Sequence, residues 1–452
     1  MKIVVAGCGK IGTTVIGSLV AEGHDVTAID SDNKILEDLT NIYDIMVICG
    51  NCADSDVLKE VSIEEAELFV ALTGSDELNM LSCFIAKRMG ATNTIARIRN
   101  PEYNDDSLVF LRKELDLSMA INPDRLTAIE LYNILKLPSA VKTENFSRRY
   151  FQMIEIIVRS DSVLDNVRLS ELRVKYGAKV LVCAVQRGED VYIPDGSFVL
   201  KAGDKIGLSA AYGDIHKLLK SLGMLQKQAK HVMILGGSKS AFYLAQMLIN
   251  SGASVKIIEK SKDRCAELSE KLPKAMIIQG DGAQQELLVE EGLRSVDAFV
   301  SLTGMDEENI LISIYAAANN VPKVISKVNR PELATMASRL GLECIVSPRN
   351  LTADIFVRYA RALENSKGSN VETLYKIMDG KAEALEFRAH PDARVTDIQL
   401  KDLKIKKNIL IAGILRDKKT IIPGGDDVIL PDDRVIVVSC EHKLNDLDDI
   451  LA

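Results

Sequence analysis

The ten residues Val232-Met233-Ile234-Leu235-Gly236-Gly237-Ser238-Lys239-Ser240-Ala241 repeat, position for position, the stretch Ile3-Val4-Val5-Ala6-Gly7-Cys8-Gly9-Lys10-Ile11-Gly12 at the start of the chain. The repeat extends well beyond the motif. Thr303-Gly304-Met305-Asp306-Glu307-Glu308-Asn309 answers Thr73-Gly74-Ser75-Asp76-Glu77-Leu78-Asn79, and Ser347-Pro348 with Leu351-Thr352-Ala353 answers Asn122-Pro123 with Leu126-Thr127-Ala128. Pro423-Gly424-Gly425 matches Pro194-Asp195-Gly196, and Asp432-Asp433-Arg434 matches Gly203-Asp204-Lys205. One two-part unit is written twice, so the fold of half the chain dictates the fold of the whole.

In the first copy an apolar run from Lys2 to Ala6 predicts a strand, followed by a glycine turn and a helix to about Ala21. A second strand from Asp25 to Ile29 closes on Asp30. This is the dinucleotide fingerprint in its full context: Gly7 permits the sharp turn, Gly9 lets bare backbone approach a pyrophosphate, and Gly12 lets the helix pack close to the strand. The helix start presents unpaired N–H groups to the anion. Asp30 is placed to accept hydrogen bonds from both ribose hydroxyls and to repel a 2'-phosphate, which favours NAD, ATP or ADP over NADP.

Short apolar strands then alternate with helices: strands at Ile45 to Cys49, Leu68 to Leu72 and Thr94 to Ile98, with helices from Lys34, Asp56 and Glu77 between them. That alternation predicts an α/β fold with a doubly wound parallel sheet, whose ligands lie beyond the strands' C-terminal ends. The candidate site residues follow from this placement. Cys8 and Ile11 belong to the turn, Asn51 and Cys52 flank the adenine, Thr73 and Gly74 bring a hydroxyl and backbone to the ribose edge, and Arg97 is a phosphate or ribose partner. Lys10 could reach a phosphate of its own ligand or of a neighbouring subunit's, or else face solvent at the helix start. In the second copy the equivalent set is Gly236, Ser238, Lys239 and Ser240, with Glu259 for the ribose and Asp281 where Asn51 stands. Ser238 and Ala241 replace the second and third glycines and narrow that pocket.

From Tyr150 the pattern becomes strand-rich, with strands at Gln152 to Val158, Lys179 to Gln186 and Asp204 to Ser209 and a closing helix from Ile215 to Leu222. This predicts a small separate α+β module after each Rossmann unit, joined to the first by a helix from Pro123 to Pro138. The expected domains are 1–123 and 229–348 for the Rossmann units, and 140–225 and 370–452 for the modules. The polar stretch Lys367-Gly368-Ser369-Asn370 marks the last boundary.

The net charge of −8 and the lack of a dense Lys/Arg run argue against a nucleic-acid partner. Apolar runs such as Val180 to Val185 fall far short of the ~18 residues that span a bilayer. The N-terminus enters a strand directly, without the regions of an export signal. Eight scattered cysteines suit reduced core thiols in the cytoplasm, and Cys49-x-x-Cys52 reads as plain loop because neither a redox helix nor a second ligand pair follows. A dehydrogenase would also need a group to move a proton. The five histidines, His24, His216, His231, His390 and His442, have no counterparts in the other copy and read as surface residues. No phosphate-loop lysine, nucleophile elbow or metal-ligand spacing is present.

The glycine turn, Asp30, the loop Gly50-Asn51-Cys52-Ala53-Asp54, the stretch Thr73 to Asn79 and the duplicated layout together resemble the TrkA family of Trk potassium uptake regulators, over the whole chain. The resemblance implies tandem RCK (KTN) N-terminal and C-terminal domains in a cytoplasmic regulatory subunit that is not an enzyme. Such a subunit would assemble into a ring, expected to be a homotetramer, under a Trk-type potassium channel or transporter. It would gate that partner by binding NAD or NADH, or ATP and ADP. It would lie peripheral to the inner face of the cell membrane through the protein partner, with no lipid insertion. Asn51 stands where many RCK domains carry Asp. The rival readings are an NAD-dependent oxidoreductase and a nucleotide sensor for a different partner.

Overall fold

The computed structural model describes residues 1–103, 105–146, 150–176, 180–211, 213–365 and 371–452. The expected boundary at Lys367 to Asn370, and Lys179 at the start of an expected strand, lie outside the described residues. The first Rossmann unit is a six-stranded parallel sheet of β1 (Lys2–Ala6), β2 (Asp25–Asp30), β3 (Met46–Cys49), β4 (Leu68–Ala71), β5 (Thr94–Arg97) and β6 (Met119–Ile121), in the order β3-β2-β1-β4-β5-β6. Residues Ile3 to Ala6 and Leu68 to Ala71 are wholly buried because helices cover both faces, which is why these strands are unbroken apolar runs. The chain winds one way from β1 through β2 and the other way from β4, so a crevice opens where β1 and β4 end.

Side-chain caps start the helices that follow β2, β3 and β4. Asp32 and Asp54 cap the helices Asn33–Ile42 and Ser55–Glu60 by accepting from the N–H of Lys34 at 3.0 Å and of Asp56 at 2.9 Å. Ser75 caps Asp76–Arg88 by accepting from Leu78 N–H at 3.1 Å. That helix has Asp76 and Glu77 in its first turn and Lys87 and Arg88 in its last, an arrangement that favours the helix dipole at both ends.

The first module is an antiparallel sheet of β7 (Lys142–Phe146), β8 (Phe151–Ile157), β9 (Val180–Arg187), β10 (Asp190–Tyr192) and β11 (Lys205–Ala211), ordered β10-β9-β11-β8-β7. The sequence shows no sign of β7, whose residues Lys-Thr-Glu-Asn-Phe carry no apolar alternation. It forms by pairing with β8 from Lys142↔Glu155 to Phe146↔Phe151.

The second Rossmann unit repeats the first with β12 (His231–Leu235), β13 (Ser254–Glu259), β14 (Met276–Gln279), β15 (Ala298–Ser301), β16 (Lys323–Lys327) and β17 (Ile345–Val346), ordered β14-β13-β12-β15-β16-β17. The second module has β18 (Val371–Ile377), β19 (Ala382–Arg388), β20 (Ile409–Arg416), β21 (Lys419–Ile421) and β22 (Arg434–Ser439), ordered β18-β19-β22-β20-β21, the same topology as the first. Where the first module ends in the helix Asp214–Ser221, the second ends in the short 3-10 turn Leu447–Ile450.

The two modules share a core, a contact between the repeats on which the sequence was silent. Compactness groups Met1–Tyr132 with Lys230–Ala360, and Asn133–Ala229 with Arg361–Ala452. In the second group Phe146, Phe151 and Met153 share one core with Ile377, Met378 and Val438. A Cβ on Gly413 would lie 2.3 Å from the Phe151 ring, and Ser209 Oγ donates to the Ala412 carbonyl at 2.8 Å. Each module buries a face on its repeat, so eighty residues of strands suffice for a core. His24 also departs from expectation, being buried rather than on the surface.

Candidate functional site: a cleft fed by both Rossmann units

The three glycines of the first turn do different work. Gly7 has φ +92°, and a Cβ there would stand 2.6 Å from Thr73 N, against the end of β4. A Cβ on Gly12 would be 2.0 Å from the Gly7 carbonyl oxygen. Both are needed for the fold. Gly9 differs: its φ is −62° and a Cβ would meet nothing within 4 Å, so its bareness serves the cleft alone.

Asp30 Oδ2 accepts the Cys8 N–H at 2.6 Å and Oδ1 accepts the Asp32 N–H at 2.9 Å, so the acid holds the turn while facing the cleft. Cys8 gives only its backbone. Its thiol is buried against the Ile29 carbonyl at 3.5 Å, and burial, with the Asp30 charge second, pushes its pKa up to about 12.

The stretch from Thr73 to Asn79 is a latch. The fully buried Asn79 accepts on Oδ1 from Thr73 N–H at 2.8 Å and from Thr73 Oγ1 at 2.7 Å, and donates from Nδ2 to the Arg97 carbonyl at 2.9 Å. Asp76 Oδ2 accepts the N–H groups of Arg99 at 2.8 Å and Asn100 at 2.7 Å. Asn309 and Asp306 repeat every one of these bonds around Thr303, Lys327, Asn329 and Arg330. The motif therefore fixes the end of β4 to the end of β5, and β15 to β16, holding Arg97 and Lys327 at the crevice.

A cleft of about 1200 Å³ lies over the first turn. Gly7, Gly9, Lys10 and Ile11 line it with Asp30, and Asn51, Cys52, Thr73, Gly74 and Arg97 complete the first copy's wall. The opposite wall comes from the second copy: Ser238 and Ser240, then Lys327 and Arg330, then Pro348 and Arg349. Arg97 is 8% exposed; it donates from Nη2 to the Thr73 carbonyl, and its Nε has no hydrogen-bond partner among the described residues. Burial, with the Arg99 charge second, holds its guanidinium down at about 10. Burial also lowers the pKa of Lys327, whose Nζ has the Leu302 carbonyl at 3.4 Å. A buried and a half-buried cation facing one cleft call for an anion.

Sequence reasoning missed Lys327 and Arg349. The signal was available, because Lys327 takes the place of Arg97 in the repeat and Arg349 follows the repeated proline. What one copy's sequence cannot show is that its residues line the other copy's cleft.

The second turn is arranged differently. Gly236, Lys239, Glu259 and Asp281 do not line the cleft. Glu259 copies Asp30 in accepting from Gly237 N–H at 2.6 Å and Ser261 N–H at 2.7 Å, but Asp281 is paired with Lys260 at 2.7 Å, and Lys239 is exposed. Ser238 adopts the backbone of Gly9, φ −61°, and caps the helix Lys239–Asn250 by accepting from Ala241 N–H at 3.3 Å. Its side chain occupies the direction that Gly9 leaves open. Cys49 and Cys52 are free thiols, the first exposed and the second buried, and no cluster of metal ligands occurs among the described residues.

Two tandem Rossmann sheets, each followed by an antiparallel module, make up the tandem RCK fold. The GsuK RCK domain has this fold, superposing with a TM-score of 0.64 at 16% identity over 97% of this chain and 92% of that one. The GsuK channel bound to NAD superposes with a TM-score of 0.63 at 15% identity over 97% of this chain and 77% of that one. The TrkA-N domain model matches residues 3–123 and 232–348, and the TrkA-C domain model matches 153–223 and 384–452. The Trk system potassium uptake protein TrkA homolog 1 of Methanosarcina mazei is 31% identical over 456 residues, covering 99% of both chains. The chain belongs to the TrkA family, and its role is the regulation of potassium transport.

Proposed function

We propose that the first glycine turn binds NAD or NADH, or alternatively ATP or ADP, and that the ligand gates a Trk-type potassium channel or transporter. The observation that carries this reading is the set of groups on one cleft: bare Gly9, the Asp30 carboxylate, and the buried Arg97 with a free Nε. Asp30 disfavours a 2'-phosphate, so NAD, ATP or ADP fits better than NADP. The bond of the GsuK channel to NAD supports a dinucleotide on this fold.

The mechanism is binding, without chemistry on the ligand. A ligand shifts a gate by its differential affinity for two conformations, and a few kcal/mol change the open fraction greatly. Arg97 and Lys327 sit on opposite walls of the cleft, so a phosphate that touches both favours the closed arrangement of the two Rossmann units. The protein acts from the cytoplasm as a ring, a homotetramer, held to the inner face of the membrane by its transporter partner. No helix among the described residues is long and apolar enough to cross a membrane. The four domains of the chain are 1–123, 140–225, 229–348 and 370–452.

Calorimetric titration of the purified chain tests the ligand. NAD and NADH, or alternatively ATP and ADP, bind with roughly micromolar or tighter affinity, and NADP binds at least about tenfold more weakly. Absence of binding by all four overturns the reading.

A further inference from the structure

Asp124 and Arg349 occupy the same place in the repeat, each following the proline that opens the last helix of its Rossmann unit. They carry opposite charge, and both line the cleft. Asp124 belongs to the first copy but reaches the second copy's turn, where its Oδ1 accepts from Ser240 Oγ at 2.8 Å in the first turn of the helix Lys239–Asn250. The adjoining contact fixes it there, since Asn122 Nδ2 donates to the Tyr243 hydroxyl at 3.2 Å. Arg349 belongs to the second copy and lines the cleft with Gly9, Lys10 and Ile11 of the first, Ile11 being the equivalent of Ser240.

A carboxylate at a helix start makes the interaction that a phosphate would make there. The second turn therefore already holds an anion of the chain's own. Its other edge is filled as well. Arg264 stands where Ile35 lines the first copy's cleft, and its Nε donates to the Gly237 carbonyl at 2.6 Å while its Nη1 pairs with Glu267. A nucleotide entering the second turn has to displace both side chains and pass Ser238. The first turn has bare Gly9 in place of Ser238 and Ile35 in place of Arg264, and its cleft takes cations from the other copy; Asp124 lines that cleft too, where its charge favours the charged forms of Arg97 and Lys327.

We propose that each chain holds a single nucleotide, in its first copy, and that Asp124 is a built-in phosphate surrogate that closes the second. The proposal rests on the nucleotide reading of the first turn. It makes the two units unequal partners: one senses, and the other supplies Lys327 and Arg349 to the ligand its neighbour holds.

The test is the stoichiometry of ADP and of NADH on the full-length protein, by calorimetry and by equilibrium dialysis with labelled ligand. Wild type binds one equivalent per chain and Gly9→Val binds none. Arg349→Glu weakens binding tenfold or more. Asp124→Ser combined with Arg264→Ile raises the stoichiometry to two, and adding Gly9→Val to that pair returns it to one. Two equivalents in wild type, or one remaining in Gly9→Val, overturn the proposal, and these two measurements decide it even where the opened variant does not fold. A folded opened variant that stays at one equivalent removes the role given to Asp124 and Arg264. No binding by wild type fails the nucleotide reading itself, a result distinct from a wrong count.

Discussion

The carboxylate of Asp30 accepts the backbone N–H of Cys8 at 2.6 Å, and at the same place in the repeat Glu259 accepts that of Gly237 at 2.6 Å. The acid of the fingerprint thus has a structural duty in both copies, and only in the first does it also line the cleft. The two duties separate by substitution. Asp30→Asn keeps an oxygen for the turn but loses the charge toward the ribose. Charge-assisted hydrogen bonds contribute about 1.5–3 kcal/mol each, so Asp30→Asn lowers NAD and ADP affinity roughly tenfold to a hundredfold. Calorimetry checks this, and an affinity within about a factor of two of wild type would show that the ribose does not lie on Asp30.

Gly9 and Gly12 of the first turn give opposite outcomes. Gly9→Val leaves stability within about 0.5 kcal/mol, because its side chain meets open space at an ordinary φ, while nucleotide binding is lost. Gly12→Val forces a side chain onto the Gly7 carbonyl and destabilises by about 3 kcal/mol or more. Urea unfolding of both variants, alongside titration, separates the functional glycine from the structural one.

Much of this was legible in the sequence. The repeat, the strand-helix alternation and the glycine turn placed both parallel sheets, because periodicity and turn chemistry act locally. β7 escaped because its five residues are mostly polar and gain their pairing only from β8. The shared core of the modules escaped because Gly413 and Ser209 reveal a partner only once the second copy lies beside the first. The same holds at the site: Asp30 and Arg97 announce themselves from strand ends, whereas Lys327 and Arg349 face a cleft that their own copy does not form. The sequence assigned Asp76 and Asn79 no role, and their side chains bind the backbone of Thr73, Arg97, Arg99 and Asn100.

That latch predicts a large effect from a residue with no ligand contact. Asn79→Ala leaves the Thr73 N–H and the Arg97 carbonyl without their buried partner, at about 1–3 kcal/mol for each group. Thermal and urea unfolding measure the loss. Ligand affinity falls as well, because Arg97 is no longer held at the crevice.

In the modules, the repeated Asp204 and Asp433 are buried carboxylates, each gripped by an arginine: Arg187 at 2.7 Å through both nitrogens, and Arg416 at 2.9 and 2.7 Å. Arg416→Met strands Asp433 with the Leu430 N–H at 2.8 Å. Breaking a buried pair costs about 3–5 kcal/mol, and a guanidinium that is partly exposed brings the expected loss nearer 2 kcal/mol. Nucleotide affinity is unchanged, since the pair lies outside the Rossmann units.

Lys327 gives a pH dependence with a definite sign. Burial lowers its pKa in the free protein, and a bound phosphate favours the charged form and raises it. Affinity is therefore flat while the free protein's Lys327 is charged and falls as pH rises through its lowered pKa, below the range of an ordinary lysine. Titrations across the alkaline range check this. Lys327→Met weakens binding at neutral pH and removes this portion of the decline.

The central claim is that a nucleotide on the first glycine turn controls potassium movement. It is tested most directly by flux through the Trk-type membrane partner reconstituted in vesicles with this protein, with NADH or ADP added or withheld, comparing wild type with Gly9→Val. The account predicts that nucleotide changes the flux with wild type and leaves it unchanged with Gly9→Val, although both proteins bind the vesicles. Equal nucleotide response from the two would contradict it.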